Sequence, residues 1–266
     1  YPLHFLTLLL ITILEFYSFS RFDSFQISTN IYDLYHFILN LFLISEWGLQ
    51  NGPSFNGVIW SVSIEIPVYF IFFAMILFIK KKLLIYIFLF FILFKLLLHT
   101  DLFHYHLKAC LFYFLFGAFI YLFCLRYEKY KRFFIFVSIV GVLIWPLLVH
   151  IEKIEYLAFI ENFLPSTLTL FGSLILFAFF IEKTFSSIGK KLSFLGNASY
   201  AIYLTHLPIQ VFILILLNLN FFKDELFHSF TTFIVFLILV NFISIITFKY
   251  FENPCRKKIN KYFITN

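Results

Sequence analysis

Long apolar stretches separated by short polar connections dominate the chain. Eight of these stretches are candidates for membrane-spanning helices, because a helix that crosses a bilayer needs about 20 mainly apolar residues. We therefore predict an all-α, polytopic helix bundle in a membrane, with no separate soluble domain. The candidate spans are residues 3–19, 58–79, 83–98, 108–125, 133–150, 165–181, 199–218 and 230–251.

The longest connection, residues 20–57, contains one further apolar segment. Residues 31–45 are apolar but are interrupted by Asp33, His36 and Asn40. This segment is too short and too polar to span a bilayer. We expect it to be an interfacial or re-entrant helix.

Composition agrees with a membrane protein. Hydrophobic residues make up 62% of the 266 residues and charged residues 13%, whereas soluble domains have about 45–50% and about 25%. The net charge of +6 is attributed to membrane topology rather than to nucleic-acid binding. The three cysteines have neither CxxC nor metal-ligand spacing, so we expect no disulfide framework, metal site or bound cofactor.

Connections rich in lysine and arginine alternate along the chain with connections that contain few of them. The rich ones are residues 80–82, 126–132, 183–191 and 256–261. Cytoplasmic connections carry the excess of these residues, so both ends of the chain are predicted to be cytoplasmic. The same alternation assigns residues 51–60 to the outer face and residues 190–206 to the inner face.

Glu65 is an acid inside a predicted span. Ser61, Glu65 and Tyr69 are spaced i, i+4, i+8 and share one helix face. Pro67 has no N–H, so the carbonyl of Ser63 loses its helical partner and can accept from a neighbour or a ligand. Intramembrane acids are usually functional, so a functional Glu65 is favoured over one that only packs between helices near the interface.

Residues 195–210, LGNASYAIYLTHLPIQ, begin with a turn signal. Gly196 and Asn197 are typical of a turn, and Asn197 is suited to capping the helix that follows. We therefore predict that a span begins near Ser199.

A second polar helix face follows this predicted turn. Ser199, Tyr203 and His206 are spaced i, i+4, i+7 and share that face. Pro208 removes the helical hydrogen bond to Leu204 beside it. Periodicity alone supports a functional site and a helix–helix hydrogen-bonding site equally.

A group of histidines lies in a predicted outer connection. His99, His104 and His106 occur there with Asp101. Four ligands are the rule in structural zinc sites, and no fourth ligand is evident here. Exposed loop histidines are therefore favoured over a metal site.

Four motifs, in order along the chain, resemble those of the membrane acyltransferase-3 family. Residues 60–69, WSVSIEIPVY, resemble its W-S-L-S-x-E-x-x-x-[FY] signature. Residues 195–208 resemble L-G-x-x-S-Y-x-x-Y-L-x-H-x-P. Residues 251–254 followed by Arg256 are similar to the closing E-x-P, and residues 1–2 to the end of an R-I-Y-P segment.

This resemblance defines the expected domain as residues 1–256, followed by a short basic tail at 257–266. The family has ten spans, so its first two helices are expected to be absent from this sequence. The chain also begins at Tyr1 and has Met75 as its only methionine. The family's best-known candidate catalytic histidine lies on the first of those helices.

The resemblance implies a membrane-bound O-acyltransferase in the inner membrane. Its donor would be an acyl-CoA, usually acetyl-CoA, and its acceptor a hydroxyl of a cell-surface or lipid-linked glycan. Glu65 and His206 are the catalytic candidates. Glu65, with Ser61, would orient either the acceptor or the absent catalytic histidine, and His206, with Tyr203, would line the donor side. Candidate substrate contacts are Trp60, Ser61, Ser63, Tyr69, Ser199 and Tyr203, and candidate contacts to the anionic CoA head are Lys190, Lys191 and Arg256.

Two other functions are weighed against this one. A transporter or flippase of a lipid-linked sugar also uses broken helices around polar groups in the membrane. The two halves of the chain, however, contain no repeated pair of broken segments. A purely structural membrane subunit would leave Glu65 and His206 without a role.

Overall fold

The computed structural model describes residues 1–27, 31–50, 52–78, 85, 87–88, 92, 105–154, 165–185, 188–221 and 229–264. These residues form helices and connections and contain no strand, which confirms the predicted all-α fold. The helices are α1 (Pro2–Phe22), α2 (Leu34–Leu41), α3 (Trp60–Phe78), α4 (Tyr105–Arg126), α5 (Lys131–Ile154), α6 (Pro165–Thr184), α7 (Ile188–Asn218), α8 (Phe230–Thr247) and α9 (Asn253–Ile264). A π-helical turn, Phe248–Glu252, joins α8 to α9.

Within the described ranges, seven helical segments are long and apolar enough to cross a membrane. Each corresponds to one predicted span, so the chain is an integral, multi-pass membrane protein. The eighth predicted span, residues 83–98, lies largely outside the described residues. The seven segments are Pro2–Phe22, Gly57–Leu77, His106–Arg126, Glu128–Ile151, Ser166–Thr184, Gly196–Asn218 and Phe230–Phe263.

The chain forms two compact units. The first contains residues 1–63 and 193–266, and the second contains residues 64–192. In the second unit, apolar residues of α3 pack against α4, and α6 packs against both α4 and α5. The buried side chains between α3 and α4 include Ile64, Val68, Leu111 and Leu115.

In the first unit, α1 and α7 run in the same direction. Leu3, near the start of α1, packs in one cluster with Leu204. Further along α1, Ile11 packs in another cluster with Val211. The π-helical turn after α8 contacts α1 as well. These contacts build the apolar frame around the polar groups of this unit.

The connection between α1 and α3 returns alongside α1. Tyr1 donates its hydroxyl to the Leu41 carbonyl at 2.8 Å, and Ile59 is buried in the same cluster as Leu3. The interfacial and re-entrant alternatives for this segment, and the assignment of residues 51–60 to the outer face, stay predictions. Ile59 packs beside the first turn of α1, the end of α1 that is predicted to be cytoplasmic.

Glu15 ties the beginning of this connection to α1. The helix ends at Phe22, and the cap residue Asp23 has a left-handed backbone (φ 54°) and donates its N–H to the Phe19 carbonyl. The chain then turns back, and the buried Glu15 carboxylate accepts the N–H groups of Gln26 and Ile27 at 2.8 and 3.1 Å. Buried carboxylates need such donors, so Glu15 sets the direction in which the chain returns.

The predicted turn at Gly196 and Asn197 is wrong. Both residues lie inside α7, which begins at Ile188 and continues to Asn218. The side chain of Glu182 accepts the N–H of Gly189 near the start of this helix. A glycine inside a helix costs only about 1 kcal/mol, which the rest of a 31-residue helix can outweigh.

Candidate functional site

The side chain of Tyr203 on α7 is hydrogen-bonded to residues at the start of α3 in the first unit. The Tyr203 hydroxyl donates to the Val58 carbonyl in a short hydrogen bond. It also lies 2.6 Å from the Ser61 hydroxyl. Because the Tyr203 proton is directed to Val58, Ser61 is the donor in this second bond. The structure thus brings together Ser61 and Tyr203, two of the predicted substrate contacts.

The carbonyl freed by Pro67 has a partner within the protein. The indole N–H of Trp47 donates to the Ser63 carbonyl at 2.9 Å. The Ser63 hydroxyl, which is fully buried, accepts the N–H of Glu46 at 3.1 Å. Ser63 therefore anchors the connection before α3 through its carbonyl and hydroxyl oxygens, and its contact with a substrate stays a prediction.

The carbonyl freed by Pro208 is satisfied in a similar way. The Asn56 side-chain N–H₂ lies 3.5 Å from the Leu204 carbonyl and donates to the Thr7 hydroxyl at 3.2 Å. Asn56 is fully buried. At each of these two prolines, a polar side chain from residues 42–59 takes the place of the missing backbone N–H donor.

His206 lies on α7 one turn after Tyr203, and its ring centroid is 5.9 Å from the Tyr203 ring. Its Nδ1 is 3.3 Å from the Ile202 carbonyl, which can only accept, so Nδ1 carries the proton. When the ring is neutral, Nε2 presents a lone pair. Ser199, in contrast, is exposed and donates to the Gly196 carbonyl at 2.8 Å.

Glu65 and Tyr69 form the predicted i, i+4 pair in the second unit. The Tyr69 hydroxyl donates to Glu65 Oε2 at 2.8 Å. The Tyr69 ring meets the edge of Phe114 on α4, with centroids 5.7 Å apart. Of the predicted catalytic pair, Glu65 thus belongs to the second unit and His206 to the first.

A family model described as an acyltransferase domain matches residues 1–249. The chain belongs to the membrane acyltransferase-3 family. No curated protein and no solved structure matches it. The match covers most of the 266 residues and includes Trp60–Tyr69 and the polar face of α7. The fold of this family and an acyltransferase activity in general follow from this membership.

The cations predicted to contact CoA lie at the start of α7 and in α9 of this acyltransferase. Lys190 is exposed and belongs to the second unit. Arg256 is exposed in the first unit, where its guanidinium lies 3.4 Å from the Asn253 side-chain oxygen and over the Phe248 ring. The side chain of Lys191 lies outside the described residues. Their role in binding CoA stays a prediction.

Four buried polar side chains of the first unit have no role in the sequence-based predictions. They are His4, His36, Asn40 and Asn56. The interruption of an apolar segment by Asp33, His36 and Asn40 is the signal in the sequence that points to two of them. The group His99, Asp101 and His104 lies outside the described residues.

Asp33 organises the first turn of α2. Its carboxylate accepts the His36 N–H at 2.7 Å and is 2.8 Å from His36 Nδ1. Donation by the backbone and ring of His36 holds the pKa of Asp33 below its usual value. An ionised carboxylate can only accept, so Nδ1 of His36 carries a proton.

Proposed function

We propose that the protein is an O-acyltransferase of the inner membrane that moves an acyl group, usually acetyl, from acyl-CoA to a hydroxyl of a glycan. The acceptor is a cell-surface or lipid-linked glycan. The observation that carries this proposal is the family match over residues 1–249. The polar face on α7 and the Glu65–Tyr69 pair supply side chains suited to the chemistry.

In this proposal His206, on the donor side of the site, also serves as the proton acceptor, a role that the family resemblance gives to a histidine on the absent first helix. Its Nδ1–H faces the Ile202 carbonyl, so Nε2 can take the proton of the acceptor hydroxyl. The hydroxyl oxygen then attacks the thioester carbonyl carbon, and a tetrahedral oxyanion forms. When the C–S bond breaks, the CoA thiolate leaves and takes the proton back from the imidazolium. The products are a glycan ester and CoA thiol.

Tyr203 and Ser61 position this base. The two hydrogen bonds of the Tyr203 hydroxyl fix the α7 turn that carries His206. A side chain held by packing and hydrogen bonds loses less freedom when the reactants assemble. Tyr203 therefore acts through His206 rather than on the acyl group.

Glu65 orients the acceptor in this proposal. One carboxylate oxygen accepts from Tyr69, and the other is assigned to a glycan hydroxyl. Trp60 is 43% exposed and is retained as an acceptor contact, as is Ser199. Ser63 is assigned a structural role instead, because its hydroxyl and carbonyl are occupied by Glu46 and Trp47.

The binding of the acyl-CoA donor is assigned to the basic side chains because of their charge. CoA carries phosphates, and exposed Lys190 and Arg256, together with Lys191, are suited to attract them. Such attraction weakens with ionic strength because salt screens exposed charges. The KM for acetyl-CoA should therefore rise with salt more than the KM for a neutral glycan.

The proposal is tested with Glu65→Gln and His206→Ala in the full-length protein, including any residues upstream of Tyr1. Membranes are incubated with acetyl-CoA labelled in the acetyl group, and alkali-labile label on the glycan is counted. Loss of a general base typically slows a reaction by about 10²–10⁴-fold, so we expect a loss in that range for His206→Ala. A smaller loss is expected for Glu65→Gln.

Matched controls come from groups away from these faces. His150→Ala changes an exposed histidine on α5, and Glu128→Gln changes a surface acid paired with Lys183 at 3.1 Å. Both controls should retain acetylation. Near-normal acetylation by Glu65→Gln and His206→Ala, at equal membrane insertion, would reject their proposed roles. Transport of labelled glycan without acyl transfer would favour a transporter.

A further inference from the structure

A hydrogen-bond network, buried except for the exposed Asp33 at its start, links α2, α1 and α7 inside the first unit. It begins at the Asp33 carboxylate and ends at the Leu204 carbonyl. Every contact in it joins residues of the same unit. We name it the His4–His36 network, and its members are Asp33, His36, Asn40, His4, Thr7 and Asn56.

The α2 half of the network is centred on Asn40. Asp33 accepts from Nδ1 of His36 at 2.8 Å. The Asn40 side-chain N–H₂ donates to the His36 carbonyl at 2.9 Å and to the Ser54 hydroxyl at 3.0 Å. Both N–H groups of the Asn40 side chain are thus hydrogen-bonded. His36 is bonded through its ring to Asp33 and through its carbonyl to Asn40.

The α1 half continues from the Asn40 carbonyl. His4 Nε2 lies 3.0 Å from that carbonyl, which can only accept, so Nε2 is the protonated nitrogen. Thr7 donates to the His4 carbonyl at 3.0 Å. Asn56 then donates to Thr7 at 3.2 Å and lies 3.5 Å from the Leu204 carbonyl.

Three atoms of the network have no hydrogen-bond partner among the described residues. They are His4 Nδ1, His36 Nε2 and Asn56 Oδ1. The three residues are deeply buried, with 0%, 4% and 0% of their surface exposed. Buried polar groups are nearly always hydrogen-bonded, so three orphans in one network point to an additional ligand.

With both histidine rings neutral, all three orphan atoms are acceptors. The proton on Nε2 of His4 leaves a lone pair on Nδ1, and the proton on Nδ1 of His36 leaves one on Nε2. The Asn56 N–H₂ is already engaged, so its oxygen is the free end. A group of acceptors selects a ligand rich in O–H or N–H donors and disfavours anions. The described residues contain no group of three or more His, Cys, Asp or Glu side chains suited to a metal ion.

We propose that the His4–His36 network binds the hydroxyl groups of a neutral glycan. This inference rests on the proposed acyl transfer, in which the glycan is the acceptor. An unpaired cation would be costly to bury among these residues, whereas sugar hydroxyls supply neutral donors. The network reaches α7 at Leu204, two residues before His206 on the same helix. The acceptor is thereby bound next to the turn that carries the proposed base.

The test uses two substitutions that keep the structural bond of each histidine. Asn places an amide N–H₂ near the position of imidazole Nδ1, so His36→Asn keeps a donor for Asp33 and removes the Nε2 acceptor. Gln places its N–H₂ near Nε2, so His4→Gln keeps a donor for Asn40 and removes the Nδ1 acceptor. His150→Asn, on exposed α5, is the matched control.

Binding is measured without acyl-CoA. The probe is tritium-labelled cell-surface polysaccharide of the expressing cells, deacylated with mild alkali. Equilibrium dialysis against the full-length protein in nanodiscs gives its Kd, and acetyl-CoA affinity is measured in parallel. We expect His36→Asn and His4→Gln each to weaken glycan binding about tenfold, which corresponds to one lost hydrogen bond. Acetyl-CoA affinity and His150→Asn should remain within about twofold of the wild type.

Three results would overturn the inference. Unchanged glycan affinity in both variants, with unfolding midpoints near that of the wild type, indicates that buried water satisfies the orphan atoms. Loss of acetyl-CoA affinity instead of glycan affinity assigns the network to the donor. Absence of glycan binding by the wild-type protein would also reject the inference. Glycan binding without acyl transfer would reject only the proposed function, so the two failures are distinguishable.

Discussion

Trp47 is expected to stabilise the start of α3 by satisfying an acceptor that Pro67 leaves open. Its indole N–H donates to the Ser63 carbonyl at 2.9 Å, which the N–H of residue 67 would bond in an uninterrupted helix. Trp47→Phe removes this donor and keeps an aromatic ring. An unsatisfied buried acceptor costs about 1–3 kcal/mol, and hydrogen bonds between membrane helices contribute about 0.6 and at most about 1.7 kcal/mol. We expect the free energy of unfolding to fall by about 1–2 kcal/mol.

Pro67→Ala provides the second arm of a double-mutant cycle. Alanine restores an N–H that can donate to the Ser63 carbonyl in ordinary helical geometry. In that background the carbonyl keeps a donor after Trp47→Phe, so the substitution should cost less than about 0.5 kcal/mol. The two sites should therefore couple by about 1 kcal/mol.

The assay is reversible unfolding in mixed micelles with increasing sodium dodecyl sulfate, followed by the far-ultraviolet circular dichroism of the helices. Trp145→Phe is the matched control, because it makes the same chemical change on α5 in the second unit. Its effect should be additive with that of Pro67→Ala. An equal cost of Trp47→Phe with and without Pro67 would refute the reasoning.

Three further predictions concern single side chains. Tyr203→Phe should lower the free energy of unfolding by about 1–2 kcal/mol in the same assay, and Ser61→Ala by less, because the phenol still reaches its carbonyl acceptor. A larger cost for Ser61→Ala would contradict this. Because the pKa of Asp33 is lowered in the folded protein, its carboxylate stabilises the fold above the unfolded-state pKa near 3.9. This stabilisation is lost as pH falls through the folded-state pKa. Acid titration below about pH 4 should therefore destabilise the wild type more than Asp33→Asn, and equal losses would argue against the pairing with His36. Glu15→Gln should raise hydrogen exchange of the two amides after α1 by about tenfold, and unchanged exchange would exclude the anchor.

Patterns within one helix were predicted well. The i, i+4 spacing predicted that Glu65 and Tyr69 meet, and their side chains are 2.8 Å apart. The missing N–H of Pro67 predicted an open carbonyl at Ser63. These predictions succeeded because helix geometry fixes which residues lie one turn apart, whatever surrounds the helix.

Local preference gives the wrong prediction for α7. Gly196 and Asn197 favour a turn, yet both lie inside a continuous helix. Intrinsic preferences differ by about 1 kcal/mol per residue, and the tertiary contacts of a long helix exceed that. The same limit applies to Phe55, Asn56 and Ile59, whose burial beside α1 could not be deduced from the composition of the connection.

The sequence by itself determined the all-α membrane class, seven of the described spans and the family, because each depends on local composition, periodicity or motif spacing. Only the tertiary structure decided which polar groups meet. His4 reaches Asn40 across 36 residues, and Ser61 reaches Tyr203 across 142. Such pairs depend on the path of the connection between α1 and α3 and on the packing of α1 beside α7, which no repeat of 3.6 residues encodes. The His4–His36 network therefore becomes visible only when these segments pack together.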